Sequence, residues 1–483
     1  MTSTPELLSN FVGGRFQEGS MDKGIPSINP SDSGDTIGLV PEGSLEDVDR
    51  AVEAAAEAFP DWRRLPGPAR ANHLYNWANV IEDRKEGLAE YLSREVGKPI
   101  GEATGEVGRC VVLLRYYAGE AVRSKGDVVP AQPEGALQFT LFDPLGVVGL
   151  ITPWNFPAAI PLWKAAPALA FGNTVVVKPA EASSGVAVRL AETAKEAGLP
   201  AGAFNVLLGN GAVVGEGLVR HEEVRGVSFT GSVAVGSQVA RICAERNVRY
   251  QTEMGGKNVV IVMPDADLDL AARLTAAGAM RYAGQKCTAT SRAVISSEVE
   301  GSFMAKLQAE VDSLVLGPVS NPRAGVGPLI DEAARDRVLA AISEASAGAV
   351  EGGKVPSDSP LDRGFFIEPA VVRDADPSSV VGREELFGPV LATFQADTLE
   401  EALDLANQTR YGLSASLFTR DLATALEYMD QIEVGLVRVN GDTTGVDPHA
   451  PFGGLKASSS GTREQGRAAR DFYTQIRTVQ INR

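Results

Sequence analysis

With 483 residues, the chain is too long for one hydrophobic core, which stops growing near about 250–300 residues, so two or three domains are expected. Its formal net charge of −17 disfavours binding to nucleic acid and to anionic lipid. Three scattered cysteines without a CxxC pair argue against a disulfide framework or a metal site. Residues 1–10 show no secretion signal, and no apolar run could span a bilayer, so a cytoplasmic protein is expected.

The first 125 residues are predicted to be mainly helical. Residues 45–60 repeat apolar side chains at helical spacing, and a helix is expected to end at the proline there. Further helices are expected over residues 68–95 and 102–124. Residues 125–145 are rich in proline at first and then alternate apolar and polar side chains, which indicates a strand that leaves its domain as an arm.

Strands and helices alternate from residue 146 to residue 262, and this order predicts a parallel, doubly wound α/β sheet. Ligands of such sheets bind beyond the carboxyl ends of the strands, so the chemistry is expected in the loops that follow them. After about residue 265 the alternation resumes, with helices expected over 267–278, 300–314 and 331–347. A second α/β domain is therefore predicted.

Cys287 is the candidate nucleophile. It lies in a polar segment, residues 284–288, which is expected to form a loop before a strand, whereas Cys110 and Cys243 have helical, mostly apolar surroundings. A nearby positive charge lowers the pKa of a thiol, so the adjacent Lys286 is expected to favour the thiolate. A lone cysteine is more often a small buried hydrophobe, and the segment alone leaves that alternative open.

A carboxylate is expected to serve as the base, because none of the three histidines has a catalytic context. Glu253 ends a predicted strand and precedes two glycines, which let a backbone approach a ligand closely. A solvated surface acid is the alternative. Asn155 follows a buried strand between Pro153 and Pro157, where an N–H could stabilise an oxyanion, although asparagine is also common in ordinary turns.

Two strand-end turns are candidates for nucleotide binding. The turn at Gly231 and Ser232 opens a helix, which suits a phosphate, although the pattern is not GxGxxG. Lys178 and Glu181 follow another strand, where a carboxylate can bind ribose hydroxyls. The motifs GxxxxGK[ST], HExxH and GxSxG are missing from the sequence, which disfavours phosphoryl transfer, zinc proteolysis and α/β-hydrolase chemistry.

Six motifs occur in the order TPWNFP, VVVKPAE, SFTGSxxxG, EMGGKN, GQKC and EELFGPV. Together they resemble the aldehyde dehydrogenase superfamily from about residue 10 to the C-terminus. The resemblance implies a Rossmann-type cofactor domain over residues 1–125 and 145–255 and a second α/β catalytic domain over 256–465. It also implies a β-arm for oligomerisation over 126–144 and 466–483, and a homodimer or homotetramer.

The resemblance implies oxidation of an aldehyde to a carboxylic acid with NAD or NADP. Cys287 would attack the aldehyde to give a thiohemiacetal, Asn155 and the Cys287 amide would hold the oxyanion, and Glu253 would activate water to hydrolyse the thioester. CoA-acylating relatives lack this base, so Glu253 favours release of the free acid. NAD is favoured because Glu181 would repel a 2′-phosphate. The implied cofactor contacts are Thr152, Pro153, Trp154, Lys178, Glu181, Gly211, Phe229, Gly231, Ser232, Glu385 and Phe387.

Within that superfamily, GQKCTATSR and PHAPFGGLKASSSGTREQG most resemble α-ketoglutaric semialdehyde (2,5-dioxopentanoate) dehydrogenases. Substrate contacts are then expected from Phe156 and Trp163, and from Arg281 and Lys286 as cations for a carboxylate. An ordinary surface position is the competing interpretation of Arg281. Succinic semialdehyde dehydrogenases often carry arginine at the Trp163 position, which weighs against that substrate. The sequence is also compatible with a broad-specificity aldehyde dehydrogenase and, less well, with a non-catalytic NAD-binding protein.

Overall fold

The computed structural model of the protein describes residues 5–345 and 350–482. Helices pack on two large sheets, and smaller sheets complete the fold. The helices are Leu45–Arg64, Gly67–Asp83, Lys85–Val96, Ile100–Glu120, Ala159–Ala170, Ser184–Glu196, Glu216–Arg220, Val233–Glu245, Leu268–Met280, Glu300–Asp312, Glu332–Glu344, Val380–Arg383, Leu399–Asn407, Leu422–Gln431 and Ala468–Tyr473.

The first large sheet has eight strands, and its central strands run parallel as predicted. Such strands are covered on both faces and read as continuous apolar runs; Thr174–Pro179 is buried at every residue. In spatial order the strands are Ser459–Ser460, Arg249–Glu253, Val224–Thr230, Val147–Thr152, Thr174–Pro179, Phe204–Val206, Asn10–Val12 and Arg15–Gln17.

The second large sheet has seven strands and confirms the predicted second α/β unit. All neighbouring strands are parallel except the antiparallel pair at one edge, Val350–Gly352 with Ala370–Val372. In spatial order the strands are Val350–Gly352, Ala370–Val372, Val390–Ala396, Thr290–Ser296, Asn258–Val262, Ser414–Phe418 and Leu436–Val439.

Smaller sheets lie outside these two. The predicted arm strand is Leu137–Pro144, which pairs with Val128–Val129 on one side and with Thr474–Ile481 on the other, all antiparallel. Glu6–Leu7, Thr36–Val40 and Ile25–Ile28 form another sheet, and Tyr411–Gly412 pairs with Leu455–Lys456. The N-terminal strands were not predicted, because segments of two to five residues carry too little periodicity.

The expected helix end at Pro60 is wrong. The helix Leu45–Arg64 continues through that proline. Trp62 lies beyond it, is buried, and donates its indole N–H to Leu169 O at 3.1 Å. Burial of this large side chain with its donor satisfied outweighs the single helical hydrogen bond that proline removes. The helix predicted over 331–347 is Glu332–Glu344, and the predicted residues 346 and 347 lie outside the described residues.

Across residues 5–345 and 350–482, no helix is long and apolar enough to cross a membrane. In the same residues, no group of three or more His, Cys, Asp or Glu side chains is arranged to hold a metal ion. All three cysteines are free thiols.

Candidate active site

The central strands of the first sheet end in register at one edge. Thr230 pairs with Glu253, and Ile151 pairs with both Phe229 and Lys178. Because parallel strands present their carboxyl ends together, the loops after them converge on a single cleft. The predicted residues that follow these strands are therefore brought to one edge of the molecule.

A cavity of about 360 Å³ lies at this edge, and three predicted cofactor residues line it. Lys178 is almost completely buried, and its Nζ lies 3.3 Å from Glu181 Oε1. The same carboxylate oxygen accepts the Gly211 N–H at 2.6 Å. Burial lowers the pKa of Lys178, and Glu181 opposes that shift. The cavity is lined by Ile151, Lys178, Glu181, Asn210, Gly211, Ala212, Gly215, Glu216, Val219, Val235, Gln238, Val239 and Ile242.

The helix Val233–Glu245 begins beside this cavity, since its residue Val235 lines the wall. Ser232 caps the helix by accepting the Val235 N–H on its hydroxyl oxygen at 3.4 Å. Phe229 is buried beneath the turn, where a Cβ on Gly231 would lie 2.6 Å from its ring. Backbone N–H groups at a helix start attract anions, so this turn can hold a phosphate next to the Lys178–Glu181 pair.

A second group of predicted cofactor residues meets nearer the nucleophile. Trp154 and Phe387 stack edge to face, with ring centroids 5.5 Å apart and planes at 86°. Glu385 accepts the Gly256 N–H at 3.0 Å, and burial raises its pKa to about 7. Thr152 is buried, and its hydroxyl finds no hydrogen-bond partner among the described residues. Thr152 directly precedes Pro153 and Trp154 in the chain. The Trp154–Phe387 pair, the Glu385 carboxylate and the Thr152 hydroxyl therefore form the second group.

These groups fit a dinucleotide. The cavity supplies a carboxylate and a buried lysine for a ribose, the helix start supplies N–H donors for phosphates, and the second group supplies flat aromatic faces.

Other parts of the protein pack closely against the two glycines that follow Glu253. A Cβ on Gly255 would lie 1.9 Å from Glu385 Oε2, and one on Gly256 would lie 2.7 Å from Cys287 O. The predicted close approach to a ligand is thus, in this structure, a close approach of Glu385 and the Cys287 loop.

The Cys287 loop is held by the side chain of Asn258. The Asn258 Nδ2 donates to Cys287 O and to Ala289 O, both at 2.8 Å, and its Oδ1 accepts the Ser414 N–H at 3.0 Å. Cys287 is partly buried, whereas the other two cysteines are completely buried. Of the three thiols, Cys287 is therefore the accessible one.

The expectation that Lys286 lowers the pKa of Cys287 is wrong for this structure. Burial raises that pKa to about 12, and the neighbouring carboxylates Glu385 and Glu253 add to the shift. Lys286 points instead to Glu102, with its Nζ 2.9 Å from the carboxylate. Its charge is compensated there, and burial disfavours the thiolate of Cys287.

Glu253 is buried and is not a solvated surface acid. Its Oε2 accepts the Ser459 hydroxyl at 2.6 Å, while its Oε1 has no hydrogen-bond partner among the described residues. Burial first, and then the like charge of Glu464, raise the pKa of Glu253 well above its ordinary value. A carboxyl with a raised pKa and an unpaired oxygen is equipped to accept a proton from water.

A buried ion pair lies behind Glu253. Lys164 pairs with Glu464, and its Nζ also donates to Ser228 Oγ at 2.8 Å. Gln251 Nε2 donates to the same serine hydroxyl at 2.9 Å. The positive charge of Lys164 partly offsets the two carboxylates that face one another here.

Asn155 lies beside the Cys287 loop. It is 3 % exposed, and its Nδ2 donates to Gln285 O at 3.0 Å. A side-chain amide carries two N–H donors, so the contact with Gln285 leaves the second one available to another acceptor. The structure thus places Asn155 and the segment before Cys287 in direct contact.

The predicted substrate residues fall into an apolar and a charged group. Trp163 packs on Phe452, with ring centroids 5.3 Å apart, and Phe156 faces Tyr282 at 6.5 Å. Arg281 is exposed at the end of the helix Leu268–Met280. Arg281 and Lys286 both act electrostatically on Glu102 and lower its pKa, although burial opposes them.

The comparisons with known proteins agree with this geometry. Residues 16–479 match the model of the aldehyde dehydrogenase family. The chain belongs to the aldehyde dehydrogenase family. It is 44% identical over 473 residues to an alpha-ketoglutaric semialdehyde dehydrogenase of Bacillus subtilis, covering 97% of each chain. It is 40% identical to an alpha-ketoglutarate semialdehyde dehydrogenase of Haloferax volcanii, covering 97% of this chain and 98% of the relative.

Solved structures agree as well. The crystal structure of an NAD-dependent aldehyde dehydrogenase from Sinorhizobium meliloti superimposes with a TM-score of 0.95 at 37% identity. The superposition covers 99% of this chain and 95% of the Sinorhizobium meliloti chain. The predicted α/β fold is confirmed, and the protein is an NAD(P)-dependent aldehyde dehydrogenase.

Several residues of this aldehyde dehydrogenase site were not predicted from the sequence. Asn258 stands in the EMGGKN motif, and Ser459 in the run of three serines, so both lay within recognised segments. Lys98, Glu106 and Glu464 are buried charged side chains that carried no signal, because such residues are mostly exposed and the sequence does not show which ones are buried.

Proposed function

We propose that this aldehyde dehydrogenase oxidises α-ketoglutaric semialdehyde (2,5-dioxopentanoate) to 2-oxoglutarate. The observation that carries the proposal is the 44% identity, over nearly the whole of both chains, to a relative named for that substrate. The exposed Arg281 beside the Lys286–Glu102 pair supports it, because a guanidinium suits the distal carboxylate of such a substrate. Phe156 and Trp163 would enclose the carbon chain.

The proposed chemistry assigns one role to each catalytic side chain. The Cys287 thiol releases its proton to solvent, its sulfur bonds to the aldehyde carbon as the C=O π bond opens, and the negative charge moves to the oxygen held by Asn155 and the Cys287 N–H. A nicotinamide cofactor held by residues such as Lys178, Ser232 and Glu385 would supply a hydride acceptor, and loss of hydride from that carbon would convert the thiohemiacetal to a thioester. Glu253 then takes a proton from water, whose oxygen bonds to the thioester carbon. The C–S bond breaks, the acid is released, and the proton held by Glu253 passes to the Cys287 sulfur, which restores both groups.

NAD is the proposed cofactor in preference to NADP. The carboxylate of Glu181 lies in the 360 Å³ cavity, where it can accept hydrogen bonds from ribose hydroxyls and repel a 2′-phosphate. In this proposal Lys178, Gly211 and Ser232 complete the adenosine and phosphate contacts. Glu385, Phe387 and the segment from Thr152 to Trp154 complete the nicotinamide contacts.

A homodimer or homotetramer is also proposed. The strand Thr474–Ile481 is an edge of the arm sheet and exposes Ile476, and Leu436–Val439 is an open edge of the second large sheet. Exposed strand edges of this kind pair readily with another chain. Light scattering on the purified protein measures the state directly.

A generalist aldehyde dehydrogenase is the second candidate, because the Trp163–Phe452 wall is apolar. The deciding experiment measures formation of reduced nicotinamide with 2,5-dioxopentanoate, succinic semialdehyde, hexanal and benzaldehyde, each with NAD and with NADP. We expect kcat/KM for 2,5-dioxopentanoate to exceed the others by about 100-fold, or about 2.7 kcal/mol of transition-state binding. The variant Arg281→Gln should lose most of that advantage and keep its rate with hexanal. A flat profile would establish the generalist.

A further inference from the structure

Lys98 is a buried lysine at the junction of the two catalytic loops. It has no exposed surface, and its Nζ donates to Asn155 O at 2.7 Å and to the carboxylate of Glu106. The ammonium also lies over two aromatic rings, 3.9 Å from the centroid of Phe156 and 4.4 Å from that of Tyr282. Phe156 belongs to the loop of Asn155, and Tyr282 to the segment that precedes Cys287.

Glu106 holds the other end of the Asn155 loop. Its Oε1 accepts the N–H groups of Ala158 at 2.9 Å and Ala159 at 3.0 Å, where the helix Ala159–Ala170 begins. Its other oxygen is bound to Lys98. Both the Asn155 carbonyl and the end of its loop are therefore fixed by one ion pair, between Glu106 on the helix Ile100–Glu120 and Lys98 just before that helix.

The Cys287 side of the junction is equally constrained. Gln285 uses its whole side chain: Nε2 donates to Tyr282 O at 3.3 Å and to Pro328 O at 3.1 Å, and Oε1 accepts the Ile330 N–H at 2.9 Å. Its backbone oxygen, which receives the Asn155 amide, therefore has a fixed position. The Asn155 side chain is thus held by this oxygen, while Lys98 holds the main-chain carbonyl of the same residue.

A buried ion pair contributes little net stability, because desolvation of both charges offsets their attraction. An oxyanion donor, in contrast, is effective only when its direction is fixed before the reaction. We propose that Lys98 and Glu106 are positioning residues that orient the Asn155 amide toward the oxygen of the substrate. This inference rests on the proposed role of Asn155.

The test is a double-variant cycle on the rate of the NADH burst, which reports the steps before thioester hydrolysis. Lys98→Met should slow the burst by about 10- to 100-fold, short of the roughly 100- to 1,000-fold cost of removing an oxyanion donor, as in Asn155→Ala. Because Lys98 acts through Asn155, the double variant should be no slower than Asn155→Ala alone. The Kd for NAD should stay within about twofold, since Lys98 does not line the cofactor cavity.

Glu106→Gln gives an isosteric second variant, in case Lys98→Met folds poorly, and should also slow the burst. Its matched control is Glu95→Gln. Glu95 is a buried carboxylate that accepts the N–H groups of Gly185 and Val186, both at 2.8 Å, at the start of another helix, and it does not contact Asn155. Glu95→Gln should lower the Tm and leave the burst rate unchanged.

Two results would overturn the positioning role: equal slowing in the presence and absence of the Asn155 amide, or a burst of normal rate in folded Lys98→Met and Glu106→Gln. A normal burst in Asn155→Ala would instead refute the proposed role of Asn155 itself. The two failures are therefore distinguishable.

Discussion

The two large sheets contribute their active-site residues from opposite strand ends. In the first sheet, Glu253 closes the strand Arg249–Glu253, and the other functional loops also follow strands. In the second sheet, Cys287 lies before the strand Thr290–Ser296, and Glu385 and Phe387 lie before Val390–Ala396. The carboxyl ends of one parallel sheet thus face the amino ends of the other across the cleft.

This difference limits the rule that α/β sheets bind ligands at carboxyl ends. The proposed site residues of the first sheet follow this rule, and those of the second sheet do not. In the first sheet, the loops at the carboxyl ends lead into helices, whose first N–H groups suit a nucleotide. At the amino ends, Asn258 bridges Cys287 O, Ala289 O and the Ser414 N–H, so a side chain at a strand start holds the nucleophile.

The largest expected effect is on the rate of the reaction, and it should leave the affinity for the cofactor unchanged. Cys287→Ala should lower kcat by at least about 10,000-fold, because the nucleophile is lost. The Kd for NAD should change less than about twofold, since the cavity belongs to the first sheet.

Glu253→Gln should keep a burst of about one NADH per site and lose about 100- to 10,000-fold in steady turnover, because only hydrolysis needs the base. Rapid-mixing absorbance gives both numbers; a burst in Cys287→Ala would refute the assignment.

A smaller effect tests how residues of the first sheet discriminate between NAD and NADP. Glu181→Gln should raise the kcat/KM ratio of NADP to NAD by about tenfold, or about 1.4 kcal/mol, because the repulsion of a 2′-phosphate is removed. Glu216→Gln is the matched control: it removes one charge from the same cavity, where the Glu216 carboxylate is engaged by Arg220 and Gln238. If the kcat/KM ratio of NADP to NAD rose equally in the two variants, the preference would come from the general negative charge of the cavity and not from a direct contact of Glu181.

The sequence predicted what depends on local pattern. Short apolar runs located Val147–Thr152 and Thr174–Pro179, and candidate site residues were predicted in the loop that follows each strand. Order and spacing of motifs predicted Cys287 and Glu253. The sequence could not predict which charges are buried, because burial is decided by contacts between distant segments. Lys286 was expected to act on its neighbour in the chain, but its partner is 184 residues away.

The smallest effect tests a contact within the first sheet. Ser459 lies in the edge strand that pairs with Glu253, and its hydroxyl lowers the pKa of that carboxyl by donating to it. Lys164 and Arg463 act in the same direction, and burial and Glu464 in the opposite one. Ser459→Ala should therefore raise the pKa of Glu253 further. Because only the deprotonated carboxylate is a base, the acid limb of kcat should move to higher pH.

At pH 7, turnover limited by hydrolysis should fall about three- to tenfold in Ser459→Ala, since a typical hydrogen bond contributes about 0.5–1.5 kcal/mol. The loss should shrink as the pH rises through the folded-state pKa, and the NADH burst should not change. Ser460→Ala is the control, because that hydroxyl pairs with Thr252 Oγ1 at 2.8 Å and not with Glu253. A Ser459→Ala profile that is scaled down equally at every pH would mean that Ser459 only supports the strand, and that the pKa of the base is set by burial and Glu464.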